Sequence, residues 1–362
     1  MIHQKPKAII VSTSLSQNRV IRSLLMDCLR VKGYDVFNCG DGKRENNHEL
    51  VWTSAISTSP SLVRDIFLFI KLAVIFIKNP PILIISFSPR ANLYVGIFSR
   101  IFRVNYITVV SGLGRYRSEI ENFSTFFSKI FRYSIEKSSR IVTMNEMDYQ
   151  LMHDGMCLRQ IYRINSEGFI FDGQFLTPIN KDYSKKTFLF LSRINSQKGI
   201  FKALVAFQKI RIIYPEAKIS IAGVIDSSMP KKDRELLDLM LQAPGVEYFG
   251  RVTDADKIVL FSQSSYYLFP SIYGEGLPMT LLEAQFFYCV PVVISTTPGS
   301  LDGIHPDFRS FYSPNDEYLE SILKNINYFK TINKKNFPDV RDWITKLHSR
   351  TTIISQYENI LN

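Results

Sequence analysis

The sequence is poor in cysteine and histidine, and the positions of both exclude two kinds of scaffold. Its four cysteines form no close pair and no metal-ligand spacing: Cys28, Cys39, Cys157 and Cys289. A disulfide framework and a structural zinc site are therefore not expected, and the thiols are predicted to be reduced, as in the cytoplasm. The five histidines are widely scattered, with none in a His/Asp cluster: His3, His48, His153, His305 and His348. We expect no bound metal.

Long apolar runs are also missing. The longest is Ile66–Ile77, which Lys71 interrupts. Twelve residues give about 18 Å of helix, against the ~30 Å of a hydrocarbon core. The first ten residues, MIHQKPKAII, lead into a predicted strand rather than into the apolar region of a signal peptide. The pattern predicts a cytoplasmic protein without a membrane-spanning helix.

Acidic residues are scarce in one part of the first half. The whole chain carries 44 Lys and Arg against 33 Asp and Glu, a net charge of +11. Residues 51–140 alone account for +8, because only four acids oppose twelve basic side chains. Such a surplus indicates an anionic partner, for example a phosphorylated substrate or an anionic lipid surface.

What the sequence does contain is a repeated alternation of short β-branched runs and helical patterns, over a length that suits two domains. This alternation predicts α/β architecture with parallel, doubly wound sheets. The predicted organisation is a first domain over 1–172, a polar linker over 173–186 and a second domain over 187–338. The remaining residues, 339–362, are predicted to form a C-terminal helix that packs back on the first domain.

The most informative segment is FPSIYGEGLPMTLLEA, Phe269–Ala284. Glycines and then Pro278 mark the passage from a buried strand through a loop into a helix. A helix start of this kind presents free backbone N–H groups and a positive dipole end, which favour phosphate. Glu275 and Glu283 frame the junction, and carboxylates accept hydrogen bonds from sugar hydroxyls. Taken alone, the two glutamates could equally be ordinary surface residues.

A second strand-to-helix passage, LSRINSQKG, opens the second domain at Leu191–Gly199. It carries Arg193 and Lys198, which could bind a diphosphate as a planar fork and a point charge. Ligands of doubly wound sheets bind at the carboxyl ends of the strands. The two junctions are therefore expected to converge on one phosphate-bearing ligand, although a basic pair in a loop could also be simply solvated.

These segments resemble the retaining glycosyltransferases of family 4, which have the GT-B fold. The resemblance rests on SRINSQKG, AKISIAG, VEYFGRV, the Glu-x7-Glu spacing of Phe269–Ala284 and the following PVVISTTPG. It is close over Thr187–Gly303 and loose over the first half. It implies two Rossmann-like domains that face each other across a cleft, with a nucleotide-sugar donor on the second.

The resemblance also implies roles for single residues. Arg193 and Lys198 match the pair that holds the donor diphosphate, Glu275 matches the glutamate at the donor sugar, and Glu283 matches the one at the ribose hydroxyls. Further donor-binding residues are implied around the helix start and near the nucleotide base: Gly276, Leu277, Met279, Thr280, Arg251 and Val252. The catalytic set implied is Glu275, Arg193 and Lys198.

The first half departs from the family pattern. A Gly-Gly loop is common after the first strand, but this chain has Ser12–Ser14, and Ser111 stands where a His often lies near the acceptor. Ser14, Ser111 and Gly112 are the acceptor-side candidates. SFSPRANLYVGIFSRI with SGLGR is similar to enzymes that extend polyprenyl-diphosphate-linked sugars in bacterial surface-polysaccharide assembly.

A metal role is not implied by the resemblance, because an Arg/Lys pair and a helix start would replace the cation. The DxD-like pair Asp254 and Asp256 precedes a helix and is interpreted as N-cap and first-turn acids. We therefore expect a metal-independent enzyme with no cofactor.

Aromatic and basic side chains alternate in Ser118–Arg140, which includes Phe123, Phe131 and Lys129. A helix with apolar and basic faces can lie in a bilayer interface and contact anionic headgroups. Residues 51–140 are therefore predicted to bind an anionic membrane surface. A core helix with a solvated basic edge remains the alternative. No nucleic-acid-binding module is recognisable, and no nucleic-acid partner is expected.

The function predicted is transfer of a hexose-type sugar from a nucleotide-diphosphate donor, and the donor expected is a UDP-sugar. The acceptor expected is a sugar, lipid-linked at the cytoplasmic face of the membrane, in surface-polysaccharide biosynthesis such as that of O-antigen or capsule. Two alternatives stay open: a GT-B sugar-nucleotide epimerase, and a non-catalytic nucleotide-sugar binder at the membrane.

Overall fold

The computed structural model describes residues 5–52, 62–168, 181–294, 296–309, 317–331 and 339–362. Its chain divides into two units, one made of residues 1–170 with 348–362 and the other of residues 171–347. The first unit is therefore built from both ends of the sequence. Within the described ranges, no helix is long and apolar enough to cross a membrane.

The first unit contains a seven-stranded sheet in the order β3-β2-β1-β4-β5-β6-β7, with every neighbouring pair parallel. Its strands are β1 Lys7–Ser14, β2 Asp35–Asp41, β3 Glu49–Val51, β4 Leu83–Phe87, β5 Asn105–Val110, β6 Arg140–Thr143 and β7 Ile161–Arg163. Its helices are α1 Leu15–Ile21, α2 Ser23–Val31, α3 Leu62–Lys78, α4 Pro89–Phe102, α5 Arg117–Glu121, α6 Phe126–Ile135, α7 Glu146–Gln150 and, from the chain end, α15 Arg350–Leu361. The all-parallel, doubly wound order confirms the predicted fold class.

The second unit contains a five-stranded parallel sheet in the order β10-β9-β8-β11-β12. Its strands are β8 Thr187–Leu191, β9 Lys218–Ala222, β10 Val246–Gly250, β11 Tyr266–Phe269 and β12 Val290–Val293. Its helices are α8 Ile200–Ile213, α9 Lys231–Leu241, α10 Asp254–Gln263, α11 Met279–Phe286, α12 Pro306–Arg309, α13 Tyr318–Thr331 and α14 Val340–His348. The adjacent central strands β8 and β11 end at the two junctions singled out in the sequence.

Aromatic packing closes the core of each sheet. In the first unit, Phe76 of α3 meets Phe98 of α4 with ring centroids 4.8 Å apart. In the second, Phe188 of β8 stacks on Tyr266 of β11 at 5.3 Å, and both side chains are fully buried. These cores hold the strands in register, which fixes the loops at their carboxyl ends.

The structure differs from the sequence expectations at several element boundaries. The sequence pattern over Asn18–Lys32, which ends at Gly33, predicts a single helix, but two helices, α1 and α2, occupy this stretch. The short edge strand β3 was not predicted. The C-terminal segment forms two helices, because the Ser349 side chain caps a new helix by accepting a hydrogen bond from the Thr352 N–H.

Helix α15 packs on the first unit, whereas α14 belongs to the second except for its last residue. Ile353, Tyr357 and Ile360 of α15 are buried. The Gln356 side chain accepts a hydrogen bond of 3.0 Å from the backbone N–H of Asn165. Much of the predicted linker, 173–180, lies outside the described residues. Lys181, which is part of the predicted linker, is instead buried in the second unit, where its ammonium donates to the backbone carbonyl of Ser262 at 3.0 Å.

Candidate functional site

The loop between β8 and α8 is held against the end of β11 by a glycine. Gly199 has φ +82°, and a Cβ at this position would lie 2.2 Å from the Pro270 carbonyl oxygen. A side chain there would force two backbones apart, so only glycine permits this approach. The backbone N–H of Ile272 donates to the Gln197 carbonyl at 2.9 Å, which ties the two loops together directly.

The loop between β11 and α11 is fixed on its other side by the chain that follows β12. The Thr297 hydroxyl donates to the Ser271 carbonyl at 2.7 Å. Gly299 has φ +75°, and a Cβ there would lie 2.4 Å from the Gly276 carbonyl oxygen. The Glu275–Gly276 segment is therefore positioned by backbone contacts from two directions.

These constraints bring Lys198 and Glu275 together. The two residues are 77 positions apart in sequence, yet the Lys198 ammonium contacts the Glu275 Oε1. Their side chains are 20% and 16% exposed. Ser271 Oγ lies 3.4 Å from the same carboxylate oxygen, and the Lys198 ammonium lies 4.8 Å from the Tyr273 ring centroid. The result is a partly buried ion pair at the carboxyl edge of the second sheet.

Arg193 lies beside this pair but is more open. Its side chain is 60% exposed, and its Nη1 lies 3.9 Å from Asp226 Oδ2. The same Asp226 oxygen accepts a hydrogen bond of 3.2 Å from the Asn195 side chain, whose own oxygen accepts from the Lys198 backbone N–H at 2.8 Å. Arg193 is thus held only loosely and keeps donor groups available to an anion.

Asp226 and Asn195 were not identified from the sequence. Burial raises the pKa of the Asp226 carboxyl, but hydrogen bonds from Ser228 and Asn195 and the charge of Arg193 outweigh it, so the net shift is downward. Asp226 is therefore a carboxylate at neutral pH and orients the loop that carries Arg193 and Lys198. Asn195 could have been noticed in the sequence, because it lies between the two basic residues. Asp226 could not, because it follows a different strand, β9.

Glu283 occupies a separate position on α11. Its side chain is 13% exposed, and its Oε1 lies 3.3 Å from the Lys257 ammonium, which also lies 2.9 Å from Asp254 Oδ1. Burial raises the pKa of the Glu283 carboxyl, and the charge of Lys257 opposes this shift. Its second oxygen, Oε2, is buried without a hydrogen-bond partner among the described residues. This oxygen can accept a hydrogen bond from a ligand hydroxyl.

Lys257 was also missed by sequence reasoning, although it lies within the segment interpreted as a helix start. The side chain of Thr253, not of Asp254, caps α10 by accepting from the Asp256 N–H, and Asp256 accepts from the Thr253 N–H at 2.9 Å. Asp256 is a first-turn acid, as expected, but Asp254 also lies in the first turn and is not the N-cap. Among the described residues, no group of three or more His, Cys, Asp or Glu could hold a metal ion.

The other donor-side candidates lie at the same edge of the second sheet. Gly276 is buried, whereas Leu277 before α11 and the first two residues of α11, Met279 and Thr280, are half-buried. The Thr280 hydroxyl lies 2.8 Å from the hydroxyl of the buried Tyr267. Arg251 and Val252 follow β10, which two strands separate from β11, and Arg251 is exposed.

The acceptor-side candidates of the first unit lie at the carboxyl edge of its sheet. Ser14 ends β1, and its hydroxyl lies 2.9 Å from the Ser16 hydroxyl. Ser111 and Gly112 follow β5, which β4 separates from β1. Gly112 has φ +99°, so this turn uses glycine's conformational freedom.

The aromatic and basic segment is divided between the core and the surface. Phe131 is fully buried, and Phe127 is half-buried and stacks on Tyr116 with centroids 5.5 Å apart. Phe126 and Phe123 are exposed by 79% and 46%. Two of the four phenylalanines between residues 123 and 131 therefore pack in or against the core beneath α6, and the other two are exposed.

Comparisons of the sequence and of the fold with those of known proteins agree with this architecture. Residues 175–336 match the family described as Glycosyl transferases group 1. The chain is 22% identical over 326 residues to the capsular polysaccharide biosynthesis glycosyltransferase CapM of Staphylococcus aureus, covering 83% of each chain. It is 30% identical over 112 residues to an uncharacterized glycosyltransferase of Methanocaldococcus jannaschii, which is 30% of this chain and 26% of that protein.

Solved structures share the fold over nearly the whole chain. Sucrose-phosphate synthase from Thermosynechococcus elongatus superposes with a TM-score of 0.72 at 15% identity, covering 99% of this chain and 98% of that one. Anabaena HepE in complex with UDP-glucose gives a TM-score of 0.71 at 14% identity, covering 98% and 99%. The fold is therefore GT-B, and the group 1 match over residues 175–336, together with the similarity to CapM, supports glycosyltransferase activity.

Proposed function

We propose that this chain transfers a hexose-type sugar from a nucleotide-diphosphate donor, UDP-linked, with retention of anomeric configuration. The observation that carries the proposal is the partly buried contact of Lys198 with Glu275, which two loops of distant sequence create. A cation beside a carboxylate at the carboxyl edge of a parallel sheet suits a ligand that has both phosphate and hydroxyl groups. The UDP-glucose complex of the similar HepE fold supports this choice of donor.

In the proposed reaction, the bond between the anomeric carbon and the diphosphate breaks while an acceptor hydroxyl forms a new bond to that carbon from the same face, and the hydroxyl proton passes to the departing diphosphate oxygen. Negative charge develops on the departing diphosphate. We assign the stabilisation of this charge to Lys198, the loosely held Arg193 and the backbone N–H groups that begin α11, in place of a metal ion. The amides of Met279 and Thr280 serve in this role, whereas Pro278 has no N–H.

The donor's ribose is assigned to Glu283. Among the described residues its Oε2 is buried without a hydrogen-bond partner, which is costly unless a ligand supplies a donor. A ribose hydroxyl would satisfy this oxygen, while the Lys257 ammonium lies 3.3 Å from the other carboxylate oxygen. Glu275, at the other junction, is assigned to the donor sugar.

The acceptor proposed is a sugar linked to a polyprenyl diphosphate at the inner face of the cell membrane, in the synthesis of a surface polysaccharide. The positive balance of residues 51–140 supports an anionic acceptor or membrane surface. The similarity to a glycosyltransferase of capsular polysaccharide biosynthesis supports the same class of pathway.

A thermal-shift screen of nucleotide sugars tests the donor assignment. A ligand at 100 times its Kd stabilises a protein by about 2.7 kcal/mol. We expect a UDP-sugar to raise the melting temperature, with a smaller shift from UDP and none from the free sugar. Absence of any shift across UDP-, GDP- and ADP-sugars would contradict the proposal.

A transfer assay then tests the acceptor and the stereochemistry. The donor found in the screen is combined with a sugar on a short polyprenyl diphosphate, or with the same sugar unattached. We expect faster transfer to the diphosphate-linked acceptor, with the anomeric configuration of the donor kept in the product by NMR. Equal rates on both acceptors would refute the lipid-linked assignment, and an inverted product would refute retention.

A further inference from the structure

Helix α3 has one buried side and one exposed apolar side. Leu68, Leu72 and Phe76 are buried at 1–2% exposure in the core of the first unit. The opposite side carries five apolar side chains that are 44–63% exposed: Ile66, Phe67, Ile70, Val74 and Ile77. Spacings of three and four residues align them along one side of the helix. We name these five residues the α3 face.

Two more exposed apolar side chains lie at the end of the neighbouring helix α4. Phe102 and Ile101 are 50% and 63% exposed, and Phe102 stacks on the buried Phe98 with ring centroids 4.3 Å apart. Phe98 also meets Phe76 on the buried side of α3. Exposed apolar side chains in this number on two neighbouring helices are typical of an interaction site rather than of scattered surface residues.

Positive charge accompanies the apolar surface. Lys71 and Lys78 on α3 and Arg103 after α4 are exposed. Asp65 at the start of α3 is 29% exposed, and its Oδ1 already accepts a hydrogen bond of 2.5 Å from the Tyr94 hydroxyl. The same oxygen lies 3.5 Å from the Arg90 guanidinium. The charge available to a partner is therefore positive, which suits an anionic surface.

The length of α3 favours a position in the membrane interface rather than across the bilayer. Its 17 residues are about 25 Å long, which is shorter than the ~30 Å of a hydrocarbon core. Lys71 can extend its charged end to the headgroups while neighbouring apolar side chains enter the acyl boundary. Two-fold pairing with a second copy would instead place the lysines of one α3 face against those of the other.

We propose that the α3 face inserts into the interface of an anionic lipid bilayer and anchors the first unit there. The choice of partner rests on the proposed lipid-linked acceptor, but insertion is measured without catalysis. The α3 face lies within residues 51–140, which the sequence predicts to bind an anionic membrane, but it is on α3 rather than in the aromatic and basic segment Ser118–Arg140.

The test is co-sedimentation of the full chain with vesicles of phosphatidylcholine alone or with phosphatidylglycerol. The test variant is Phe67→Glu/Ile70→Glu, at side chains 63% and 54% exposed. Its matched control is Leu236→Glu/Leu239→Glu on α9, at side chains 49% and 68% exposed, which adds the same charge. We expect the test variant to lose at least about tenfold in vesicle affinity, and the control to bind like wild type.

Two further measurements separate insertion from electrostatic attraction. At 1 M salt, where the Debye length is about 3 Å, residual binding is expected for wild type and not for the test variant. An environment-sensitive dye on Ile70→Cys, in a Cys157→Ser background, is expected to shift to shorter wavelength with anionic vesicles. The same dye on Leu239→Cys is expected not to shift. Cys157 is replaced because it is exposed, while the other three cysteines are buried.

Several results would overturn the inference. Equal vesicle binding by the test variant and wild type is one, and loss of binding only in the α6 variant Lys129→Glu/Arg132→Glu/Lys137→Glu is another. A wild-type dimer that the test variant converts to a monomer, without vesicle binding by either, would assign the α3 face to self-association. A nucleotide-sugar thermal shift is recorded for every variant, so that failure of the proposed function is seen separately from failure to bind vesicles.

Discussion

Replacing Lys198 by alanine removes the cation that the structure places on Glu275. The side chain is only 20% exposed and contacts the Glu275 carboxylate. In the proposed reaction it also faces the charge that develops on the departing diphosphate. Loss of one preorganised electrostatic group costs about 10²–10³ in kcat, or 2.7–4 kcal/mol. We expect a fall of ~100-fold in kcat/KM at the lower end of that range, because Arg193 and the α11 N–H groups remain.

The assay is steady-state transfer from the UDP-sugar found by thermal shift, with kcat and KM resolved separately. A loss mainly in kcat would place Lys198 in transition-state stabilisation, whereas a loss only in KM would place it in ground-state donor binding. The matched control is Lys202→Ala, four residues further on α8 and exposed. The control is expected to keep wild-type kinetics and melting temperature.

Two outcomes would refute this reasoning. A near wild-type kcat/KM in Lys198→Ala would remove the residue from the site. A Lys198→Ala variant that loses activity and also no longer unfolds cooperatively on heating would show that the contact with Glu275 serves stability rather than transfer. A double variant with Glu275→Gln completes the cycle, and its loss should be smaller than the sum of the two single losses because the groups are in contact.

Three further predictions test the site. Glu283→Gln should raise the donor KM about 10-fold or more, since a hydrogen bond to a charged group is worth about 1.5–3 kcal/mol. It should not lower the melting temperature, because burial raises the pKa of Glu283 and the neutral amide avoids that cost; unchanged KM would refute the ribose assignment. EDTA should leave transfer intact, and complete loss restored by Mn²⁺ or Mg²⁺ would overturn metal independence. Gly199→Ala should lower the free energy of unfolding by about 2 kcal/mol or more and reduce transfer, since its Cβ would lie 2.2 Å from the Pro270 oxygen. A variant that melts at the wild-type temperature in calorimetry would contradict this.

The central elements of the site were predictable because they are local in sequence. A buried strand, glycines and Pro278 mark the β11–α11 junction. The alternation of strands and helices then brings both junctions to one edge of the sheet. Lys198 and Glu275 could therefore be expected in one region. Their direct contact could not, because it depends on Gly199 and Gly299 at positions where a Cβ would strike another backbone.

The residues that sequence reasoning missed act across elements. Asp226 follows β9 and reaches the β8–α8 loop, while Lys257 of α10 reaches Glu283 of α11. The two members of each pair are far apart in sequence, so no sequence spacing predicts their contact. The α3 face was hidden for a related reason: periodicity shows that Ile66–Ile77 is apolar, but only the packed structure shows which side the core leaves exposed.

The position of α15 on the first unit has a consequence for biosynthesis. Residues 1–170 are synthesised before the second unit, but the helix that buries Ile353 and Ile360 against them is synthesised after it. At synthesis rates of 5–20 residues per second, the residues from 171 to the end of α15 take roughly 10–40 s to appear. During this interval the first unit lacks one of its helices, so a nascent or prematurely terminated chain exposes apolar surface that α15 covers in the folded protein. Synthesis of α15 is thus the step that completes the first unit.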